Sequence, residues 1–147
     1  MLASDVTSLQ RIPMFKDVDP AKLKLIVLAS QRASYRIGDR LLTEGERADT
    51  VFIILEGKAN VMRNDGTADV QIAQVESGAV VGEMGVVLDK PYSGTIIAET
   101  PVTALRIDKR TFMDLLTQVP QLSLALIREL ANRLLETSNL YVKALSR

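Results

Sequence analysis

Histidine, cysteine and tryptophan are absent from the 147 residues. The missing histidine removes Ser-His-Asp catalysis and every imidazole metal ligand. The missing cysteine removes thiol catalysis, disulfides, zinc fingers and iron–sulfur clusters. Neither sign of charge is in excess, since 18 Lys and Arg balance 18 Asp and Glu. A net charge of zero argues against a non-specific nucleic-acid binder, which needs a dense basic face. Long apolar stretches are lacking: the longest runs, 25–29 and 51–55, hold five residues each. A membrane-spanning helix needs about 20. The opening Met1-Leu2-Ala3-Ser4-Asp5 shows neither the basic start nor the apolar run of a signal peptide. These absences lead us to expect a soluble, cytoplasmic chain with no membrane and no nucleic-acid partner. Only oxygen-ligand metals and carboxylate, lysine or tyrosine chemistry stay open, so a binding or regulatory module is favoured over an enzyme.

What is present is an ordinary globular balance, 47% hydrophobic and 24% charged, in a length suited to one core. A single domain over 1–147 is expected, with no internal repeat and no linker. Glycine placement divides it. All eight glycines lie between Gly38 and Gly94, where they separate short apolar runs in the manner of strands and tight turns. The glycine-free flanks carry helical spacing. We therefore expect helices over about 4–29, a β core over about 31–107, and helices again over about 108–146.

Local signals refine this outline. Ser4 is a candidate cap for a short first helix ending before Pro13. Asp19-Pro20 marks a second start, Asp as N-cap and Pro at the first helical position. Strands are expected at 32–37, 40–43, 50–56, 58–63, 68–75, 93–99 and 102–107. Val51-Phe52-Ile53-Ile54-Leu55 reads as a strand buried on both faces, and Asn64-Asp65-Gly66-Thr67 as a hairpin turn. Many short strands with regular turns suggest a sandwich or jelly roll. Asp108 is placed to cap a helix over 109–118, and Pro120 opens the last one. There Leu122, Leu126, Leu130 and Leu134 form a stripe whose start should pack on the β core. Thr137-Ser138-Asn139 is expected to bend or fray that helix before Leu140, Tyr141, Ala144 and Leu145.

Two stretches resemble one known family when taken together. Gly38-Asp39-Arg40-Leu41-Leu42-Thr43-Glu44-Gly45, followed by Phe52 to Leu55 and Glu56-Gly57, is similar to the first half of the cyclic-nucleotide-binding domain. Val81-Gly82-Glu83-Met84-Gly85-Val86-Val87-Leu88, running on to Pro91-Tyr92-Ser93-Gly94-Thr95, is similar to that family's phosphate-binding cassette. The likeness, to domains of the catabolite-activator and kinase-regulatory-subunit type, covers roughly 9–140. It implies a mainly β fold with flanking helices, an eight-stranded jelly-roll barrel.

It also implies a ligand, cAMP or cGMP, and a site built from Val81, Gly82, Glu83, Met84, Gly85, Tyr92, Ser93 and Gly94. By the resemblance, Gly82 lets the backbone approach the ligand and Glu83 accepts from the ribose 2′-hydroxyl. Ser93 and Gly94 offer donors to the phosphate, in keeping with anion binding at a helix N-terminus. The departure is Tyr92, which stands where the family pattern has an arginine paired with the phosphate. Loss of one partner from a buried charge pair costs about 2–5 kcal/mol, on the order of 30- to 4000-fold in affinity.

Three functions compete at this point. The first is a ligand-gated regulatory domain with weakened nucleotide binding. The second is a ligand-independent module on the same fold, forming a homodimer or holding a partner protein through the C-terminal helix. The third is an enzyme, disfavoured because metal-dependent jelly rolls of the cupin kind rely on histidine and the β core has no obvious carboxylate cluster. No catalytic residue, metal site or cofactor is expected. A helix-turn-helix following the last helix would not fit within 147 residues, so the chain is expected to be either a stand-alone domain or a piece of a larger regulator.

Overall fold

The computed structural model describes residues 2–146. Helix α1 (Leu2–Gln10), a single 3-10 turn (Pro13–Phe15) and α2 (Pro20–Leu28) precede the strands. Then come β1 (Gln31–Tyr35), β2 (Arg40–Leu42), β3 (Thr50–Glu56), β4 (Lys58–Asn64), β5 (Asp69–Glu76) and β6 (Val80–Val81). A short helix, α3 (Glu83–Leu88), interrupts the strands before β7 (Thr95–Ala98) and β8 (Val102–Asp108). Helices α4 (Lys109–Gln118) and α5 (Pro120–Leu145) complete the chain.

Helix starts follow the expected chemistry in part. The Asp108 carboxylate accepts from the Thr111 backbone N–H at 2.9 Å and so caps α4. Pro20 opens α2 as expected, but the Asp19 side chain makes no capping hydrogen bond. Ser4 is not a cap: α1 already begins at Leu2, and Ser4 lies within it. Tertiary contacts hold α1, with Leu9 fully buried in the core. The buried Asp5 carboxylate accepts from Arg32 of β1 at 2.5 Å. Helix α5 runs unbroken through Thr137-Ser138-Asn139. Weak helix formers cost only tenths of a kcal/mol each, too little to interrupt a long helix.

The eight strands form two four-stranded antiparallel sheets, ordered β1-β8-β3-β6 and β2-β7-β4-β5. The expected barrel is therefore not closed. Among the described residues no ladder joins the sheets, because β6 is two residues long and pairs only with β3, while β5 pairs only with β4. Strand β6 was also not expected from sequence, since two valines carry no periodicity.

Strand β3 is buried from Val51 to Leu55, and the two-residue alternation explains both faces. On one face Ile53, together with Val80 and Ile107 of its neighbours, meets Ile26 of α2, Phe112 of α4 and Leu122 of α5. The other face carries Phe52 and Ile54, with the Phe52 ring edge-on to Tyr35 of β1 and beneath the Arg106 guanidinium of β8. The leucine stripe of α5 is thus buried only where it begins: Leu122 and Leu126 are in the core, whereas Leu134 is 71% exposed. Beyond its first turns α5 leaves the sheets' apolar core and runs past α3.

Candidate functional site

Strand β6, helix α3, the loop before β7, β4, β5 and α5 together wall a cleft of about 770 Å³. All eight residues singled out from the sequence, Val81 to Gly85 and Tyr92 to Gly94, line it. Sequence reasoning missed the contributions of the other walls, chiefly Arg63 of β4 and Glu129, Arg133 and Glu136 of α5.

Gly82 makes the turn from β6 into α3. Its φ is +84°, in the left-handed region that other residues avoid. A Cβ there would lie 2.9 Å from the Thr50 carbonyl oxygen and 3.2 Å from the Tyr92 ring. The backbone thus packs directly on β3 and on Tyr92. At its other end α3 stops at Asp89, also left-handed at φ +55°. The Asp89 carboxylate is paired with Lys109 at the start of α4.

Glu83, the first residue of α3, is the charged centre of the cleft. Its side chain is 2% exposed. An isolated carboxylate would not tolerate that burial, and Arg133 of α5 compensates it. Arg133 donates to Glu83 Oε1 at 2.5 Å, to the Val80 carbonyl at 3.1 Å, and to Glu129 Oε1 at 3.2 Å. Burial pushes the Glu83 carboxyl above its ordinary range, and attraction to Arg133 opposes that rise. Burial also pulls the Arg133 guanidinium down, but Glu83 and Glu129 together hold it above its usual value. The pair ties α5 to the head of α3 across the cleft.

Tyr92 faces away from such a role. It is buried, and its hydroxyl donates to the Thr50 carbonyl at 2.6 Å and accepts from the Thr50 N–H at 3.1 Å. Burial raises the phenol's pKa, so the hydroxyl remains a proton donor. Tyr92→Phe removes both bonds, taking this partner from the N–H and the C=O of half-buried Thr50. A loss of about 1–2 kcal/mol is expected, to be read from denaturant melts of the two proteins. Lys90, the other basic residue near this position, is exposed and does not line the cleft.

The sequence model of the cyclic nucleotide-binding domain matches residues 32–119, more than half of the chain and including every strand from β2 to β8. The chain belongs to the cyclic nucleotide-binding domain family. Solved structures carry the same fold. Thermus thermophilus catabolite activator protein is similar at 24% identity with a TM-score of 0.80, over 91% of this chain and 63% of that one. A cyclic nucleotide-binding domain from Methylobacillus flagellatus is similar at 24% identity and TM-score 0.80, over 94% and 80%. The regulatory subunit of a cAMP-independent protein kinase A from Trypanosoma brucei matches at 23% identity and TM-score 0.78, over 87% and 45%. Among curated proteins, an uncharacterized NTE family protein of Mycobacterium tuberculosis is 27% identical over 128 residues. The chain spans about a fifth of that protein's length, 21%. Among the described residues, no helix is long and apolar enough to cross a membrane.

Proposed function

We propose that this cyclic nucleotide-binding domain is a non-enzymatic sensor whose cleft takes cAMP or cGMP with weakened affinity and reports through α5. The observation that carries the reading is Glu83, buried in the cleft and shared with Arg133 of α5. A carboxylate in this place can accept from a ribose hydroxyl. Any group that bonds it also meets the guanidinium holding α5, so occupancy and helix position are coupled through one side chain. Coupling of this kind operates only through a difference in ligand affinity between two helix positions. The weakening follows from Tyr92, which brings no positive charge and whose hydroxyl is engaged by Thr50.

Calorimetric titration of cAMP, then cGMP, into the protein tests this reading. Saturable binding is expected, weaker for Glu83→Ala by about tenfold or more, the scale of a hydrogen bond to a charged group. Absence of heat up to millimolar nucleotide would overturn it.

A second reading rests on a separate observation. The distal part of α5 exposes Leu134, Leu135, Leu140, Tyr141 and Leu145, each at least 60% accessible. An exposed apolar set of this kind, beyond the buried start of α5, fits a homodimer or a partner protein docked along α5. Sedimentation over a wide concentration range distinguishes the two, since a nucleotide sensor does not require self-association and a dimerising module does.

A further inference from the structure

We infer that Arg63 supplies the positive charge for the anionic group of a nucleotide bound in this cleft, in place of the arginine that position 92 lacks. The inference rests on the nucleotide reading above and assigns a residue that reading does not contain.

The placement comes from strand pairing. β4 and β7 are antiparallel neighbours, with Met62 opposite Thr95. That register sets Arg63 beside Ser93 and Gly94, which precede β7. The contact is close: a Cβ on Gly94 would lie 2.9 Å from the Met62 carbonyl oxygen and 3.4 Å from Cγ of Arg63. Gly94 thus lets the arginine stem lie directly against the loop, and Arg63, Ser93 and Gly94 all line the cleft. Segments far apart in sequence therefore present a guanidinium, a hydroxyl and a backbone on one wall.

The charge inventory singles out the same residue. Among the described residues, two cationic side chains line the cleft, Arg63 and Arg133. Arg133 is committed to Glu83, Glu129 and the Val80 carbonyl. Arg63 is exposed and makes no side-chain hydrogen bond or ion pair among the described residues. The remaining charges on the walls, Glu76, Glu83, Glu129 and Glu136, are carboxylates. Glu83 and Glu129 are paired with Arg133, so among the described residues the Arg63 wall is the one that offers an uncommitted cation. A ligand with one anionic group and several hydroxyl or amine donors matches this distribution, its anion beside Arg63 and its donors toward Glu83 and α5. A guanidinium forms paired bonds to phosphate oxygens, which a lysine ammonium does not reproduce.

The test compares cAMP with adenosine, which has the same base and a ribose but no phosphate, on the wild-type protein, Arg63→Gln and Arg63→Lys. Calorimetry reads the affinities and a thermal melt confirms folding, which an exposed, unpaired side chain should not affect. Arg63→Gln is expected to weaken cAMP by about 10- to 100-fold, roughly 1.4–2.8 kcal/mol at about 1.4 kcal/mol per decade. Adenosine affinity should stay unchanged, and Arg63→Lys should fall between wild type and Arg63→Gln for cAMP. Equal cAMP affinity in wild type and Arg63→Gln overturns the assignment while leaving the nucleotide reading intact. Equal weakening of cAMP and adenosine also overturns it, because that marks a structural role. If the wild-type protein binds neither cAMP nor cGMP, the nucleotide reading fails and the Arg63 assignment fails with it.

Discussion

Arg133→Ala is expected to destabilise the protein by about 1–3 kcal/mol near pH 7, and by much less near pH 4. Removing one partner of a buried ion pair costs about 3–5 kcal/mol. The lower figure applies because the Arg133 side chain is 37% exposed, so water screens part of the interaction. The pH dependence follows from the other partner. Burial already raises the Glu83 carboxyl above its ordinary range, with Arg133 opposing the rise. Without the guanidinium, that opposition disappears and the folded-state value climbs further. A carboxyl raised in the folded state binds its proton more tightly there than in the unfolded chain. Its stabilising effect is then present below the unfolded pKa and is lost as pH rises through the folded one. The gap between variant and wild type should therefore open as pH rises. Chemical denaturation of both proteins at several pH values measures it. Glu83→Gln added to Arg133→Ala should recover much of the loss at neutral pH, since the buried charge is gone. A gap that stays constant with pH would mean that Glu83 is not the group left unpaired.

Gly82→Ala is expected to have a comparable or larger effect, about 2–4 kcal/mol. Two costs combine. A residue with a Cβ in the left-handed region loses about 1–2 kcal/mol, and Gly82 has φ +84°. The added methyl must also find room 2.9 Å from the Thr50 carbonyl oxygen and 3.2 Å from the Tyr92 ring. Overpacking of this kind costs about 1–3 kcal/mol. The Thr50 oxygen is the acceptor of the Tyr92 hydroxyl, so relief of the clash pulls on the strand, the tyrosine and the head of α3 together. A thermal melt of Gly82→Ala reads the stability loss. Amide shifts at Thr50 and Glu83 would show whether the distortion reaches the cleft. An unchanged melting temperature would mean that β6 and α3 are joined differently.

Local chemistry explains which parts of this molecule could be read from its sequence. Asp108 is legible as a cap because its acceptor and the Thr111 N–H are three residues apart. Strand β3 is legible because five consecutive apolar residues between turn signals leave few alternatives to a strand buried on both faces. The cleft wall from Val81 to Gly94 is legible because its glycines and Glu83 fall at the spacings of a family motif. What escaped is non-local. Glu83 and Arg133 are 50 positions apart, and nothing near either one announces the other. The i,i+4 pairing of Glu129 with Arg133 is visible along the helix, but it suggests only a solvated face. Arg63 reaches the cleft through the β4–β7 register, which no local pattern encodes. The expected barrel closure failed for a similar reason, because closure depends on edge strands finding partners and β6 is only two residues long.

These omissions matter for function. By the resemblance, the motif carries Tyr92 where the family pattern has an arginine. The folded chain adds an arginine that secures the carboxylate and another that is free to meet an anion. The regulatory reading therefore rests on α5 and β4 as much as on the cassette.

The most direct test of that reading is a titration of isotope-labelled protein with cAMP, following backbone amides and the arginine Nε–H signals by nuclear magnetic resonance. The expected result is a saturable set of shifts at Gly82, Glu83, Gly85, Ser93 and Gly94, joined by the Arg133 Nε–H, because the same guanidinium donates through Nη1 to the Glu83 carboxylate that the ligand meets. Amides and arginine signals that stay in place up to millimolar cAMP, and likewise with cGMP, would contradict it.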